Sequence, residues 1–94
     1  MIVRIVTLHI KEERVDEFEA LSSRIRERIL SFPGCTHLEF LRDIVDKGLF
    51  VTCSVWEKEE DLERYRASEL FADIWPEAKD MFSKKASAQT LVKL

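Results

Sequence analysis

A chain of 94 residues, 46 % of them hydrophobic and only two each glycine and proline, is expected to form one domain over residues 1–94 around one modest core. Its net charge of −3 comes from 15 basic and 18 acidic side chains that interleave, with no basic stripe threaded by aromatics, so nucleic acid is not an expected partner. The longest notable uncharged run, Leu49 to Trp56, is too short to span a bilayer. Met1-Ile2-Val3-Arg4 enters an apolar strand pattern rather than a signal peptide, so no membrane role is expected and the default location is the cytoplasm.

Residues 2–10 are rich in β-branched types and read as a strand. Even positions carry Ile2, Val6, Leu8 and Ile10, broken by Arg4; odd positions carry Val3 and Ile5, then Thr7 and His9. Both faces are therefore apolar along the first half. Arg4 reads as a paired surface arginine at a strand end, with an anion clamp as the alternative. Residues 12–31 read as a helix, because Val15, Phe18, Leu21, Ile25 and Ile29 recur at steps of three and four. Acidic residues crowd its start and Arg24 to Arg28 its end, which suits the helix dipole. Phe32-Pro33-Gly34 stops it.

Residues 36–43 and 49–56 read as two strands joined by a hairpin around Asp46-Lys47-Gly48. The second strand carries no charge on either face. A helical stretch begins near Glu59-Glu60-Asp61, and Ser68 is placed to cap a second segment whose stripe is Phe71, Ile74, Trp75, Ala78 and Phe82. Pro76 falls inside that stripe and predicts a kink or break near Trp75. Residues 86–94 alternate as a last strand.

The order β-α-β-β-α-β is the α+β ferredoxin-like arrangement, a four-stranded antiparallel sheet with helices on one face. Two helical segments cover only one face, yet the first and third strands are apolar on both. An uncovered apolar sheet face is rare on a monomer, and a second copy packed sheet to sheet is the simplest cover. A homodimer is therefore expected.

Metal and nucleotide chemistry finds little support in the spacing. Cys35 and Cys53 make no disulfide framework and read as buried thiols; His9 and His37 are too few and too badly spaced for zinc; no Gly-rich phosphate loop or Gly-x-Ser-x-Gly elbow occurs. No cofactor and no metal is expected.

Pro33-Gly34-Cys35, Glu39, the hairpin, Val55-Trp56 before an acidic helix with Leu62, and Ser68-Glu69-Leu70-Phe71 together resemble the antibiotic biosynthesis monooxygenase family. The resemblance runs from Val3 to about Leu91. It implies a dimeric α+β barrel with a pocket between sheet and helices in each protomer. It also implies diverse activities: cofactor-independent oxidation of polycyclic phenols or quinols, haem breakdown, or processing of a small signalling molecule. Trp56 matches the strand-ending tryptophan in the pocket of the polyketide-oxidising members. Those members carry an Asn where this chain has Thr52 and a Tyr where it has Leu62. The haem-degrading members carry Asn, Trp and His where this chain offers Val6, Tyr65 and Trp75, which argues against haem cleavage.

The candidate ligand-binding residues are thus Trp56, Tyr65, Phe71 and Trp75 as an aromatic enclosure, with Thr52 and Ser54 as hydroxyl dipoles. Each also has a plain structural reading, since aromatic side chains dominate small cores. No acid or base is assigned; His9 and His37 are the side chains whose type could serve as a general base. The expected function is a cofactor-independent monooxygenase that oxidises a small aromatic molecule of the quinol, anthrone or polyphenol type with O2. The alternatives are a ligand-binding dimer without catalysis, acting as sensor or carrier, and a haem-binding protein without turnover.

Overall fold

Alternation along the first strand decides which face of the sheet the helices cover. The computed structural model describes residues 1–94. Strand β1 (Ile2–Ile10) buries Leu8 and Ile10, while His9 between them points to the other face. A 3-10 turn at Glu12–Arg14 leads into helix α1 (Val15–Leu30), which buries Val15, Phe18, Leu21, Ile25 and Ile29. This is the stripe read from spacing, although the α-helix proper starts three residues after the expected Glu12. Strands β2 (Cys35–Arg42) and β3 (Leu49–Trp56) form the hairpin, followed by α2 (Glu59–Arg66), α3 (Glu69–Lys79) and β4 (Phe82–Val92).

All pairings are antiparallel and the strand order is β2-β3-β1-β4, the ferredoxin-like topology. The core lies between the helices and the even-numbered face of β1 and β3. Within it the Phe18 and Phe50 rings meet at 4.8 Å, and Leu21, Leu38, Ile74 and Met81 belong to the same buried cluster.

Pro76 does not break the chain. Helix α3 runs through it without interruption. The proline removes one donor, and the carbonyl left without it belongs to Ala72, one turn back. Ala72 and Pro76 both lie on the exposed side of α3, where the carbonyl is accessible to water, while Ile74 and Ala78 anchor the opposite side. The discontinuity falls instead at Ala67-Ser68, between α2 and α3. There Ser68 Oγ accepts from Phe71 N at 3.1 Å and donates to the Tyr65 carbonyl at 2.6 Å.

The last strand starts four residues before the expected Ala86. Its first part pairs with His9 and Ile10 across two register shifts. Ser83, Lys84 and Lys85 are exposed on this edge strand, so no hydrophobic alternation marks them in the sequence. The thiols also differ from expectation: Cys35 and Cys53 are half-buried on strands, unpaired, rather than core residues.

Gly34 carries the turn into β2 at φ +93°. A Cβ there would collide with the Asp61 side chain, which is buried and pairs with Arg64. Gly34→Ala is expected to destabilise the fold by about 2 kcal/mol or more, from the left-handed backbone alone plus displacement of Asp61. Urea denaturation of the two proteins measures it, and an unchanged midpoint would contradict the strain.

Candidate functional site

A cavity of about 310 Å³ lies between the sheet and the helices. Its origin is in the sequence. The backbone of α3 comes closest to α1 and α2 rather than to a strand, and below it β4 presents Ala86 and Ala88, side chains too small to close the gap. The floor is the helix-facing side of β1 and β3, with Arg4, Val6 and Leu8 beside Thr52, Ser54 and Trp56. Strand register sets these side by side: Val6 is opposite Thr52 on one side and Ala88 on the other.

The wall is a run of touching rings. Trp56 stacks on Tyr65 at 5.1 Å and 28°. Tyr65 meets the Phe71 edge at 5.3 Å, Phe71 stacks on Trp75 at 5.5 Å and 13°, and Trp75 meets Phe82 at 5.5 Å. The structure therefore brings together Thr52, Ser54, Trp56, Tyr65, Phe71 and Trp75, all six residues expected at a ligand site. Tyr65 and Trp75 do not face each other across an open gap, because Phe71 lies against both rings. The open space is beneath the wall, over Val6 and Ala88.

Trp56 plays a different part from the other rings. It is 0 % exposed, and its Nε1 donates to Ser54 Oγ at 2.9 Å. It closes the inner end of the cavity and braces Tyr65 from behind. Tyr65 enters the side-chain hydrogen bonds only through its carbonyl, which leaves its hydroxyl free for a ligand. Burial, reinforced by nearby Cys35, pushes the Tyr65 phenol up to about 12. At neutral pH it is a donor and not a base.

Arg4 corrects the expectation of a paired surface residue. Its Nη1 donates to Thr90 Oγ1 at 2.6 Å, on the helix-facing side of the sheet, and the side chain lines the cavity. Arg66, at the end of α2, also lines it. Sequence reasoning missed Arg66; its place in the helix after Tyr65 was the signal available. The two histidines lie elsewhere. His9 and His37 alternate with core-facing Leu8 and Leu38, so both face the opposite side of the sheet, and His37 Nε2 sits 2.8 Å from Glu39 Oε1. No histidine or carboxylate lines the cavity, and no cluster of three or more His, Cys, Asp or Glu is gathered to hold a metal ion.

A ferredoxin-like sheet with a mostly apolar cavity beneath its helices defines a small α+β domain with an interior space within the size range of small-molecule sites. The chain matches the model of the antibiotic biosynthesis monooxygenase family over residues 1–76, and it belongs to that family. Its fold is shared with a crystal structure of an antibiotic biosynthesis monooxygenase, at 22 % identity and a TM-score of 0.92 over 100 % of this chain and 99 % of the other. A conserved protein from Methanosarcina mazei Go1 matches at 22 % identity and a TM-score of 0.91, over 100 % and 94 % of the two chains. Rv0793 from Mycobacterium tuberculosis matches at 14 % identity and a TM-score of 0.88, over 99 % and 94 %. No curated protein matches the chain. No helix is long and apolar enough to cross a membrane.

Proposed function

We propose that this protein is a cofactor-independent monooxygenase, working as a homodimer, that oxidises a small aromatic molecule of the quinol, anthrone or polyphenol type with O2. The observation that carries the reading is the cavity: mostly apolar, about 310 Å³, walled by stacked rings, with the free Tyr65 hydroxyl and Thr52 among its polar points. That volume is at the lower end of small-molecule sites, which favours a substrate of few rings. Family membership supports the reaction class.

Such chemistry asks little of the protein. For an anthrone, a ring CH2 becomes C=O. The substrate loses two hydrogens and gains one oxygen atom, and the second oxygen leaves with those hydrogens as water. The ring carbon supplies all four electrons that reduce O2, so no external reductant enters. The cavity's contribution is to exclude water, hold the ring flat against the wall and give a hydrogen bond from Tyr65 to the ring oxygen.

Oxygen-electrode assays over anthrones and reduced quinols test this, with one O2 consumed per product expected. Saturable binding of the same compounds without uptake would instead identify a carrier or sensor. Trp75→Ala is expected to weaken binding by about 1–3 kcal/mol, as loss of a stacking surface does, and ligand should change Trp75 fluorescence. Full affinity with a loss of several kcal/mol of folding stability would make Trp75 a core residue alone.

A further inference from the structure

The cavity is lined by 21 residues, 16 of them hydrophobic, and its only charged lining residues, Arg4 and Arg66, have the same sign. Arg4 rises from β1 amid Ile2, Val6 and Ala88, bonded to the Thr90 hydroxyl, and no ion pair engages it. Arg66 shares a 3.3 Å pair with Glu63, and the charges of both act on Arg4. The three groups sum to one net positive charge at the edge of an apolar space. Burial foremost, then Arg66, press against the charge on Arg4, and Glu63 opposes them. The guanidinium stays protonated all the same, since its ordinary value is far above neutrality. A cation held without a carboxylate partner at a ligand site is relieved when the ligand brings an anion.

The rest of the lining points the same way. With no histidine or carboxylate on the wall and Tyr65 held protonated, the cavity has no side chain that takes a proton from a bound phenol. A ligand that reacts as an anion must arrive ionised, or lose its proton to water under the influence of a nearby cation.

We propose that the cavity selects aromatic molecules bearing an anionic oxygen group, a carboxylate or an ionised phenol, with Arg4 as the direct partner of that oxygen and Arg66 adding to the field. This rests on the reading of the cavity as an aromatic ligand site, and deepens it by naming the charge of the ligand.

The test uses 2-naphthoate, its neutral counterpart 2-naphthalenemethanol, and 2-naphthol at neutral pH and about pH 10, with binding followed by calorimetry and tryptophan fluorescence. At least one anionic probe is expected to bind about 10- to 100-fold tighter than the neutral alcohol, with the preference shrinking as salt is added. Arg4→Gln should bring that probe to within about twofold of the alcohol measured on the same variant, while Arg4→Lys keeps part of the preference. A preference for naphthoate alone assigns a carboxylate; tightening of naphthol as it ionises assigns a phenolate. Equal affinity for anionic and neutral probes, or a preference that survives Arg4→Gln, overturns the inference and leaves the aromatic-site reading standing. No binding of any probe overturns both.

Discussion

Replacing Trp56 by alanine is expected to remove about 3–5 kcal/mol of folding stability, the range for a large aromatic deleted from a core. No residue in the chain offers more to lose. Trp56 is 0 % exposed and heads the largest fully buried side chains. It sits at the end of β3, opposite Ile2 of β1 and Cys35 of β2, so three strands meet around it. Its ring stacks on Tyr65 and meets the edge of Phe32 at 6.3 Å. Alanine would also strip the buried Ser54 hydroxyl of its donor, a loss separate from the empty volume. A domain of this length has a total stability of roughly 5–14 kcal/mol, so the variant lies near the edge of folding, with a melting point lower by roughly 15–30 °C. Trp56→Phe should cost less, since it keeps a ring against Tyr65. Thermal denaturation of the three proteins distinguishes the cases. A Trp56→Ala variant that melts within a few degrees of the parent would mean that the cavity collapses around the site, and that Trp56 is a replaceable wall rather than a brace.

The fold was legible in the sequence because its strongest signals are periodic. The stripe Val15-Phe18-Leu21-Ile25-Ile29 and the charge-free run Leu49 to Trp56 each match one element, and Ser68 caps the helix it precedes. What was not legible depends on where elements touch rather than on their own pattern. Pro76 looks like a breaker in one dimension, but its missing bond falls on the wet side of α3. The first residues of β4 belong to the sheet only because β1 is there to pair with them. The site was half legible. Aromatic residues at helical spacing can be read as a wall, and all the expected ones line the cavity. The empty space itself comes from Ala86 and Ala88 facing α3 across the sheet, which no local pattern states. Arg4 was misread for the same reason: its environment is set by residues of α2 and by Thr90, more than fifty and more than eighty residues away in sequence.

A charge placed at the centre of the uncovered sheet face is expected to convert the proposed dimer to monomers. The register puts Val55 beside Val3 beside Leu91, Cys53 beside Ile5, and Val51 beside Thr7, while His37, Glu39 and Gln89 lie on the flanking strands. This is an apolar centre with a partly polar rim, the anatomy of a protein interface. Nothing in the chain covers it; Leu41 and Leu91 at its margins are each 47 % exposed. Ile5→Asp sits at its middle. In a lone protomer the new carboxylate reaches water and costs little. In a two-fold dimer it is buried without a partner twice, once from each copy, and each burial costs several kcal/mol. That difference makes the variant diagnostic. Light scattering is expected to give twice 11.1 kDa for the parent and the single mass for Ile5→Asp at about 10 μM, with the far-ultraviolet circular dichroism of the fold retained. Thr7→Ser, on the same face but without a charge, should stay dimeric. If the parent itself scatters as a monomer, the apolar face has another cover, and the argument from strands apolar on both sides to a second copy fails.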